Sequence, residues 1–501
     1  MKNYSLDRLI KINIALSAEK DIHNLLELIL KEAMEITNCD GGTMYVKEKE
    51  YLHFNNMITK SKNFDKNNRN GDIGVPPVPL NRQHVCAVSA LDHKRINIPD
   101  VYESKEYDFS GAQNYDRLNG YRTGSMLVIP MEDDKYNVIG VMQLINALDD
   151  DGKFIPFEEA DEELIYALSS FAAISINNRR LAQNVNDILH SFVEVMVEAV
   201  DIRTPYNANH TRSMARYGRQ FVEWLDTVDV GWRFTEEKKD PFIMSIWLHD
   251  IGKLQIPGRV MNKPTRLGQL KTEVFHRIEV AILMERLRAL EKPDEEDEAN
   301  RRIAMLKEAR EDIEKADDAG FLSDELVMKL DTYKALTVTD SEGKDTKLLN
   351  EEEYTAISVR KGTLTEAERR IMEQHVSYTS QMLSKMKFDG DYEEVPLWAG
   401  AHHEFINGTG YPKQLSGDEL SKEMRLLTIL DIYDALTAED RPYKPPMSPE
   451  KAFDVLKSMR DEGKLDGEIL ELFIRSNAWE RRENPRGEND EIWTKERRSL
   501  L

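Results

Sequence analysis

Ile22, Leu25, Leu26, Ile29, Leu30, Ala33 and Ile36 recur at intervals of mostly three and four, the spacing of one apolar helix face, and predict a helix reaching about residue 38. The pattern then becomes strand-like. Runs at 43–46, 51–57, 125–131 and 138–146 predict strands, the last two joined by the polar turn Glu132-Asp133-Asp134-Lys135-Tyr136-Asn137. Residues 60–124, with Pro76, Pro77, Pro79 and several Asn and Asp, read as a loop-rich stretch of the kind that forms ligand lids or pockets. From about Phe157 helical spacing returns and persists. Leu181, Val185, Ile188, Phe192, Val195, Ala199 and Ile202 are separated by 4, 3, 4, 3, 4 and 3 residues, an a/d seam about three heptads long. Such a seam either faces the core of its own protomer or pairs two copies of the chain. It bridges two domains and has little else to pack on, which favours a homodimer.

Nearly everything beyond residue 205 also reads as helix. Residues 268–362 are very polar, and Val274, Ile278, Ile282, Ile303, Leu306 and Ile313 predict an antiparallel helical hairpin with solvated charged faces. The organisation expected is an N-terminal helix 1–19, an α+β domain 20–182 with an antiparallel sheet, and a connecting helix 183–204. An all-α bundle 205–477 with a helical insertion 268–362 follows, then a charged tail 478–501.

Composition narrows the possible roles. A chain of 501 residues is too long for one core, so two or three domains are expected. The net charge of −23 argues against non-specific binding to DNA, RNA or an anionic membrane, so a nucleotide ligand needs local positive charge. Only Cys39 and Cys86 occur, which excludes a disulfide scaffold and suits a reducing cytoplasm. The start has no apolar leader pattern and no uncharged apolar run of membrane-spanning length occurs. A cytoplasmic protein with no membrane partner is the expectation.

The candidate chemistry lies in the second half. His402-His403-Glu404 precedes a Gly-rich turn that closes at Gly410-Tyr411-Pro412, and His249-Asp250 lies in Leu248-His249-Asp250-Ile251-Gly252-Lys253. Neutral imidazole and carboxylate are the donors of Zn, Fe and Mn sites. On a helix, His249 and Asp250 would point about 100° apart and reach a metal pair from its end or side. Two metals roughly 3.5–4 Å apart are the usual arrangement for phosphate-ester cleavage, need a bridging carboxylate, and acidify water for attack. Asp250 is placed for the bridging role. Lys253, three residues on and on the same helical face, is placed for a phosphate. His210, His276, His375 and Asp431 complete the ligand inventory.

These segments resemble the HD-GYP family, a branch of the HD metal-dependent phosphohydrolases, over residues 185–477. The resemblance rests on Pro205-Tyr206-Asn207-Ala208-Asn209-His210, His249-Asp250-Ile251-Gly252-Lys253, Asn262-Lys263-Pro264, Leu364-Thr365-Glu366 through His375, and His402 through Pro412. Asp431-Ile432-Tyr433-Asp434-Ala435-Leu436-Thr437 and Asp440-Arg441-Pro442-Tyr443-Lys444 extend it. It implies hydrolysis of cyclic di-GMP to pGpG or GMP, or of 3′,3′-cyclic GMP-AMP in some members. The implied metal ligands are His210, His249, Asp250, His375, His402, His403 and Asp431. Lys253 would contact a substrate phosphate, Tyr411 would line the guanine site, and Arg441 and Lys444 would add positive charge. Some members carry a Glu four residues before the first His and hold three metals. Here that position is Tyr206, so two divalent ions are expected, of Fe, Mn or Zn. The insertion separates Asn-Lys-Pro from the helix of the middle His. His276 has the usual distance from Asp250, whereas His375 has the right neighbours and is preferred.

Residues 20–182 resemble a GAF sensor domain through Gly120-Tyr121-Arg122-Thr123-Gly124-Ser125 and the strand that ends at Asn146. The GAF signature of cyclic-nucleotide phosphodiesterases survives in part as Asn146, Phe157, Asp161 and Glu162, with Ala147 where that signature has Lys. An unidentified small ligand of this domain, signalling through the 158–203 helix, is the reading that follows. The alternatives are a non-catalytic effector that binds a cyclic dinucleotide or a protein, and an HD hydrolase of another nucleotide.

Overall fold

A computed structural model describes residues 22–67, 74–203, 209–438 and 446–480. The chain divides into two compact units, the first running to Leu189 and the second from His190 to Pro485. Residues 204–208 and 439–445, and with them Tyr206, Arg441 and Lys444, lie outside the described residues, as do the expected helix at 1–19 and most of the tail.

In the first unit, helix α1 (Ile22–Ile36) is followed by strands β1 (Cys39–Glu48), β2 (Tyr51–Thr59), β3 (Phe64–Asn67) and β4 (Val78–Pro79). Helix α2 (Val85–Asp92), strand β5 (Ile96–Ile98) and helix α3 (Ser110–Asn119) come next. Strands β6 (Met126–Glu132), β7 (Val138–Leu148) and β8 (Phe154–Ile155) lead into helix α4 (Glu159–Arg203). The sheet order is β3-β2-β1-β7-β6-β5, with β4 on β2 and β8 on β7, and all pairs are antiparallel. Strand β6 is buried on both faces. Leu127, Ile129 and Met131 meet the α1 and α4 layer, while Met126 and Val128 join the cluster of α2 and β5. The stretch 60–124 is therefore less loop-like than its composition predicts. Its helix α2 is built largely from Ala, Val and Ser, which give little amphipathic signal.

Asn146 has a positive φ of 60° and a fully buried side chain. Its amide donates to Tyr121 Oη (2.9 Å) and Arg122 O (2.7 Å), and its Oδ1 accepts from Gly124 N (2.6 Å). Tyr121 Oη in turn donates to Asp40 Oδ2 at 2.6 Å. Asp161 is buried near the start of α4, where it accepts from Glu158 N. Asn146 thus ties β7 to the 121–124 segment, while Asp161 holds the start of α4.

In the second unit, helices α5 (His210–Thr227) and α6 (Glu236–Leu248) precede a tight turn (Ile251–Gln255) and α7 (Gly258–Met261). The insertion contributes α8 (Lys271–Glu291), α9 (Glu296–Asp318), α10 (Asp324–Ala335), the hairpin β9 (Thr337–Thr339) and β10 (Asp345–Lys347), and α11 (Glu351–Ile357). Val274, Ile278, Ile303, Leu306 and Ile313 pack between α8 and α9, and Leu330, Val338 and Ile357 extend the same core. The insertion thus holds more than a helical hairpin. The roots of the insertion are fastened by Arg266, fully buried, whose Nε donates to Val359 O at 2.7 Å. Helices α12 (Glu366–Leu383), α13 (Val395–Ala399), α14 (Lys422–Thr437), α15 (Pro449–Asp461) and α16 (Gly467–Ser476) complete the bundle. No helix among the described residues is long and apolar enough to cross a membrane.

Candidate metal centre

Five chain segments converge on one buried centre. Helix α12 begins with a capping box: Thr365 Oγ1 accepts from Glu368 N (3.2 Å) and Glu368 Oε2 accepts from Thr365 N (2.9 Å). Lys263 Nζ holds the same Glu368 carboxylate at 2.7 Å and so ties the Asn-Lys-Pro segment to the start of the helix. Two and a half turns on, the helix delivers His375, which is buried. His276 is exposed on α8 and is not brought to the centre.

His249 and Asp250 stand at the end of α6 rather than within a helix, so Asp250 opens the tight turn that carries Lys253. That turn lies very close to α12. Gly252 N donates to Thr379 Oγ1 at 3.0 Å, and Thr379 Oγ1 donates to His249 O at 2.8 Å. Thr379 is one helical turn beyond His375, a relation visible in the sequence only once α12 is known to meet this turn.

The imidazole tautomers follow from their partners. His249, His375 and His402 each place Nδ1 2.6–2.7 Å from the carbonyl three residues earlier, those of Ile246, Met372 and Ala399. A carbonyl only accepts, so each Nδ1 carries the proton and each neutral Nε2 presents a lone pair inward. His249 Nε2 is buried without a hydrogen-bond partner. His375 Nε2 and His402 Nε2 face each other at 3.2 Å. Two bare lone pairs at that separation repel unless a cation lies between them. His210 is held differently: Asp431 Oδ1 lies 3.1 Å from its Nε2 and Asp434 Oδ2 2.7 Å from its Nδ1. These carboxylates, three apart on α14, grip opposite sides of one ring.

Asp250 lies between two donor groups. Its Oδ1 is 3.4 Å from His375 Nε2 and 4.0 Å from His402 Nε2, while its Oδ2 is 3.3 Å from His249 Nε2 and 3.9 Å from His210 Nε2. The ligand atoms of His375, His402 and His403 converge within 4.8 Å of one another, and so do those of His210, His249 and Asp431. This donor set, two imidazole-rich groups either side of one carboxylate, fits a pair of divalent ions.

The charges of His375 and His402 suit ligation, whereas His210 must shed a proton to join them. Burial pushes His375 down to about 4 and His402 well below its ordinary value, so both are neutral near pH 7. Burial would raise Asp250 and Asp431, but Lys253 and His249 for the first, and His210 and His403 for the second, hold both carboxyls well below the usual range. Burial would lower His210, and its hydrogen bonds to Asp431 and Asp434 outweigh it and lift the group to about 10. Lys253 Nζ pairs with Asp250 Oδ2.

The Gly-rich turn closes the centre. A Cβ on Gly410 would stand 2.5 Å from both Glu404 Cα and Phe405 N, so only glycine allows the chain to double back there. Tyr411 N donates to His403 O at 3.1 Å, and its ring lies 4.8 Å from that of His403. Glu404, buried, accepts from Lys413 N (2.7 Å) and Leu415 N (3.0 Å) and so fastens the turn. Its place directly after paired histidines is the only trace this role leaves in the sequence.

Residues 352–469 match the HD domain family and residues 21–176 the GAF domain family. Over 102 residues the chain is 43% identical to 3′3′-cGAMP-specific phosphodiesterase 3 of Vibrio cholerae, covering 20% of this chain and 21% of that protein. It is 31% identical over 159 residues to 3′3′-cGAMP-specific phosphodiesterase 1 of the same organism, covering 31% and 35%. It is also 33% identical over 129 residues to a cyclic di-GMP phosphodiesterase of Vibrio cholerae, covering 24% and 25%. The chain thus spans between about a fifth and a third of these relatives' lengths. Among solved structures, the GAF domain of an Acinetobacter phosphoenolpyruvate-protein phosphotransferase aligns with 15% identity and a TM-score of 0.29, covering 37% of this chain and 99% of that one.

Proposed function

We propose that this chain, which joins a GAF domain to an HD domain, is a metal-dependent phosphodiesterase that hydrolyses cyclic di-GMP to pGpG or GMP. The observation that carries the reading is Asp250, with one oxygen toward each of two converging ligand groups. His210, His249, Asp250, His375, His402, His403 and Asp431 would hold two divalent ions, of Fe, Mn or Zn. Bound there, the ions supply Lewis acidity that neutralises phosphate oxygens and lowers the pKa of water.

The protein's own groups do the rest. The Nδ1-to-carbonyl bonds keep three imidazoles in the ligating tautomer. Lys253, whose Nζ pairs with Asp250 Oδ2, would take a phosphate oxygen as negative charge grows. Tyr411, whose ring lies tilted beside that of His403, would offer an aromatic face for a guanine. Arg441 and Lys444 follow α14 in the sequence and are proposed to add the cationic charge that a chain of net −23 needs around a dianionic ligand.

A second substrate has its own support. Relatives that match at 43% and 31% identity are named for 3′3′-cGAMP, and the matched segments alone do not separate the two dinucleotides. The test is metal analysis of purified protein followed by product identification after incubation with each dinucleotide. Two equivalents of metal with pGpG or GMP from cyclic di-GMP support the reading; faster turnover of cyclic GMP-AMP favours the second substrate. Two bound metals with no turnover of either would point to an effector.

The GAF domain is proposed to sense a small ligand and regulate hydrolysis through α4. Leu181, Val185, Ile188, Phe192, Val195 and Ile202 are all exposed along that helix. A second copy of the chain, pairing by this a/d seam, would bury them.

A further inference from the structure

Within the second unit, α4 is fastened at two points to the segment that carries His249, Asp250 and Lys253. At the first, His190 Nε2 lies 3.1 Å from Asp240 Oδ2, and Tyr392 Oη donates to the same oxygen. At the second, the Arg203 guanidinium donates to Leu254 O and, at 3.1 Å, to Ile256 O, while Asn262 Nδ2 donates back to Arg203 O at 2.9 Å. Val193, Val197 and Val200 are buried between them. Asp240 lies in α6, whose end delivers His249 and Asp250; Leu254 and Ile256 close the turn that follows. The end of α4 therefore grips both ends of the ligand-bearing segment.

An arginine at a helix end can cap the last carbonyls of its own helix. Arg203 instead takes two carbonyls of the turn that carries Lys253. Lys253 N is bonded to Asp250 O at 2.9 Å, and Ile256 N to Lys253 O at 3.1 Å, so the turn moves as one piece with both side chains. A planar fork that spans two acceptors fixes orientation as well as distance.

We propose that Arg203 is a positioning residue that sets where Lys253 and Asp250 stand, making the end of α4 part of the catalytic arrangement. The proposal rests on the phosphodiesterase reading for its kinetic arm and only on the metal centre for its spectroscopic arm. The test uses full-length protein loaded with metal. Arg203→Ala is expected to lower kcat roughly tenfold while KM changes much less, because misplacement acts most on the transition state. Arg203→Lys, whose single ammonium lacks the planar fork, restores only part of the rate. Asn262→Ala shifts kcat in the same direction by a smaller factor. In protein loaded with cobalt(II), the visible ligand-field spectrum is expected to change in Arg203→Ala and to stay unchanged in Arg310→Ala, on the insertion. A wild-type kcat with an unchanged cobalt spectrum in Arg203→Ala overturns the proposal, as does a rate loss that only parallels loss of folded protein in thermal melts. If the wild type turns over neither dinucleotide, the phosphodiesterase reading fails on its own. The cobalt spectrum then decides the positioning role: a shift supports it and no shift refutes it.

Discussion

Gly252 lies directly against the main chain of His375: a Cβ built on it would stand 2.0 Å from His375 O and 2.5 Å from Thr379 N. Both neighbours are backbone of α12, so neither can swing away. The absence of a side chain at residue 252 is what lets the Asp250 turn and the His375 helix share one centre. Gly252→Ala is accordingly expected to cost about 1–3 kcal/mol of stability by overpacking and to lower metal occupancy more than a surface Gly→Ala change does. Thermal unfolding with metal analysis checks both; a variant with normal stability and full metal content contradicts the close contact.

Asp434 is not itself in the converging donor groups, yet its carboxylate fixes the Nδ1 side of His210. Asp434→Asn is expected to leave the fold intact and to weaken metal binding roughly 10- to 100-fold, the usual effect of losing a partner behind a ligating histidine. Titration of the metal-free protein with a competing chelator measures it. Unchanged affinity would mean that His210 does not ligate.

The insertion packs its own core, and its roots meet at Arg266 and Val359. Replacing residues 268–358 by a short Gly/Ser linker is expected to leave the metal stoichiometry at its wild-type value. Loss of metal from a folded, monodisperse deletion protein would show that the insertion shapes the centre.

Asp201, near the end of α4, has its carboxyl pushed up to about 6 by burial, against the opposing charges of Arg212 and His210. Its folded form binds the proton more tightly than the unfolded chain. The stability it contributes is therefore full below about pH 4 and is lost as the pH rises through about 6. In metal-free protein Asp201→Asn is expected to exceed the wild type by about 1–2 kcal/mol above pH 6, allowing for partial exposure, with the gain vanishing below pH 4. Denaturant unfolding at pH 4 and pH 7.5 reads the difference; a gain that does not depend on pH contradicts it.

Local signals made much of this architecture legible. The regular spacing from Leu25 to Ile36 became α1, the apolar runs around Val128 and Val141 became central strands, and Val274, Ile278 and Ile303 became a core. The paired His402-His403 and the His249-Asp250 dipeptide stood out because such donors rarely adjoin. What stayed hidden was set by contacts between distant segments. Nothing near Gly252 announces that α12 will press on it, and nothing in Glu404 says that its carboxylate will hold Lys413 N and Leu415 N. Helix α2, rich in Ala and Val and buried over most of its length, carries no amphipathic stripe for a sequence pattern to reveal. The preference for His375 over His276 was by contrast legible, in the Leu364-Thr365-Glu366 start of its helix, and only His375 reaches the centre.

Asp250 is the carboxylate proposed to stand between two ions. The most direct measurement is hydrolysis of cyclic di-GMP by metal-loaded Asp250→Ala beside the wild type, with metal content and circular dichroism taken on the same samples. The account predicts pGpG or GMP from the wild type and a folded variant with turnover reduced by at least about 10³-fold. Wild-type turnover by the folded, metal-loaded variant would contradict it.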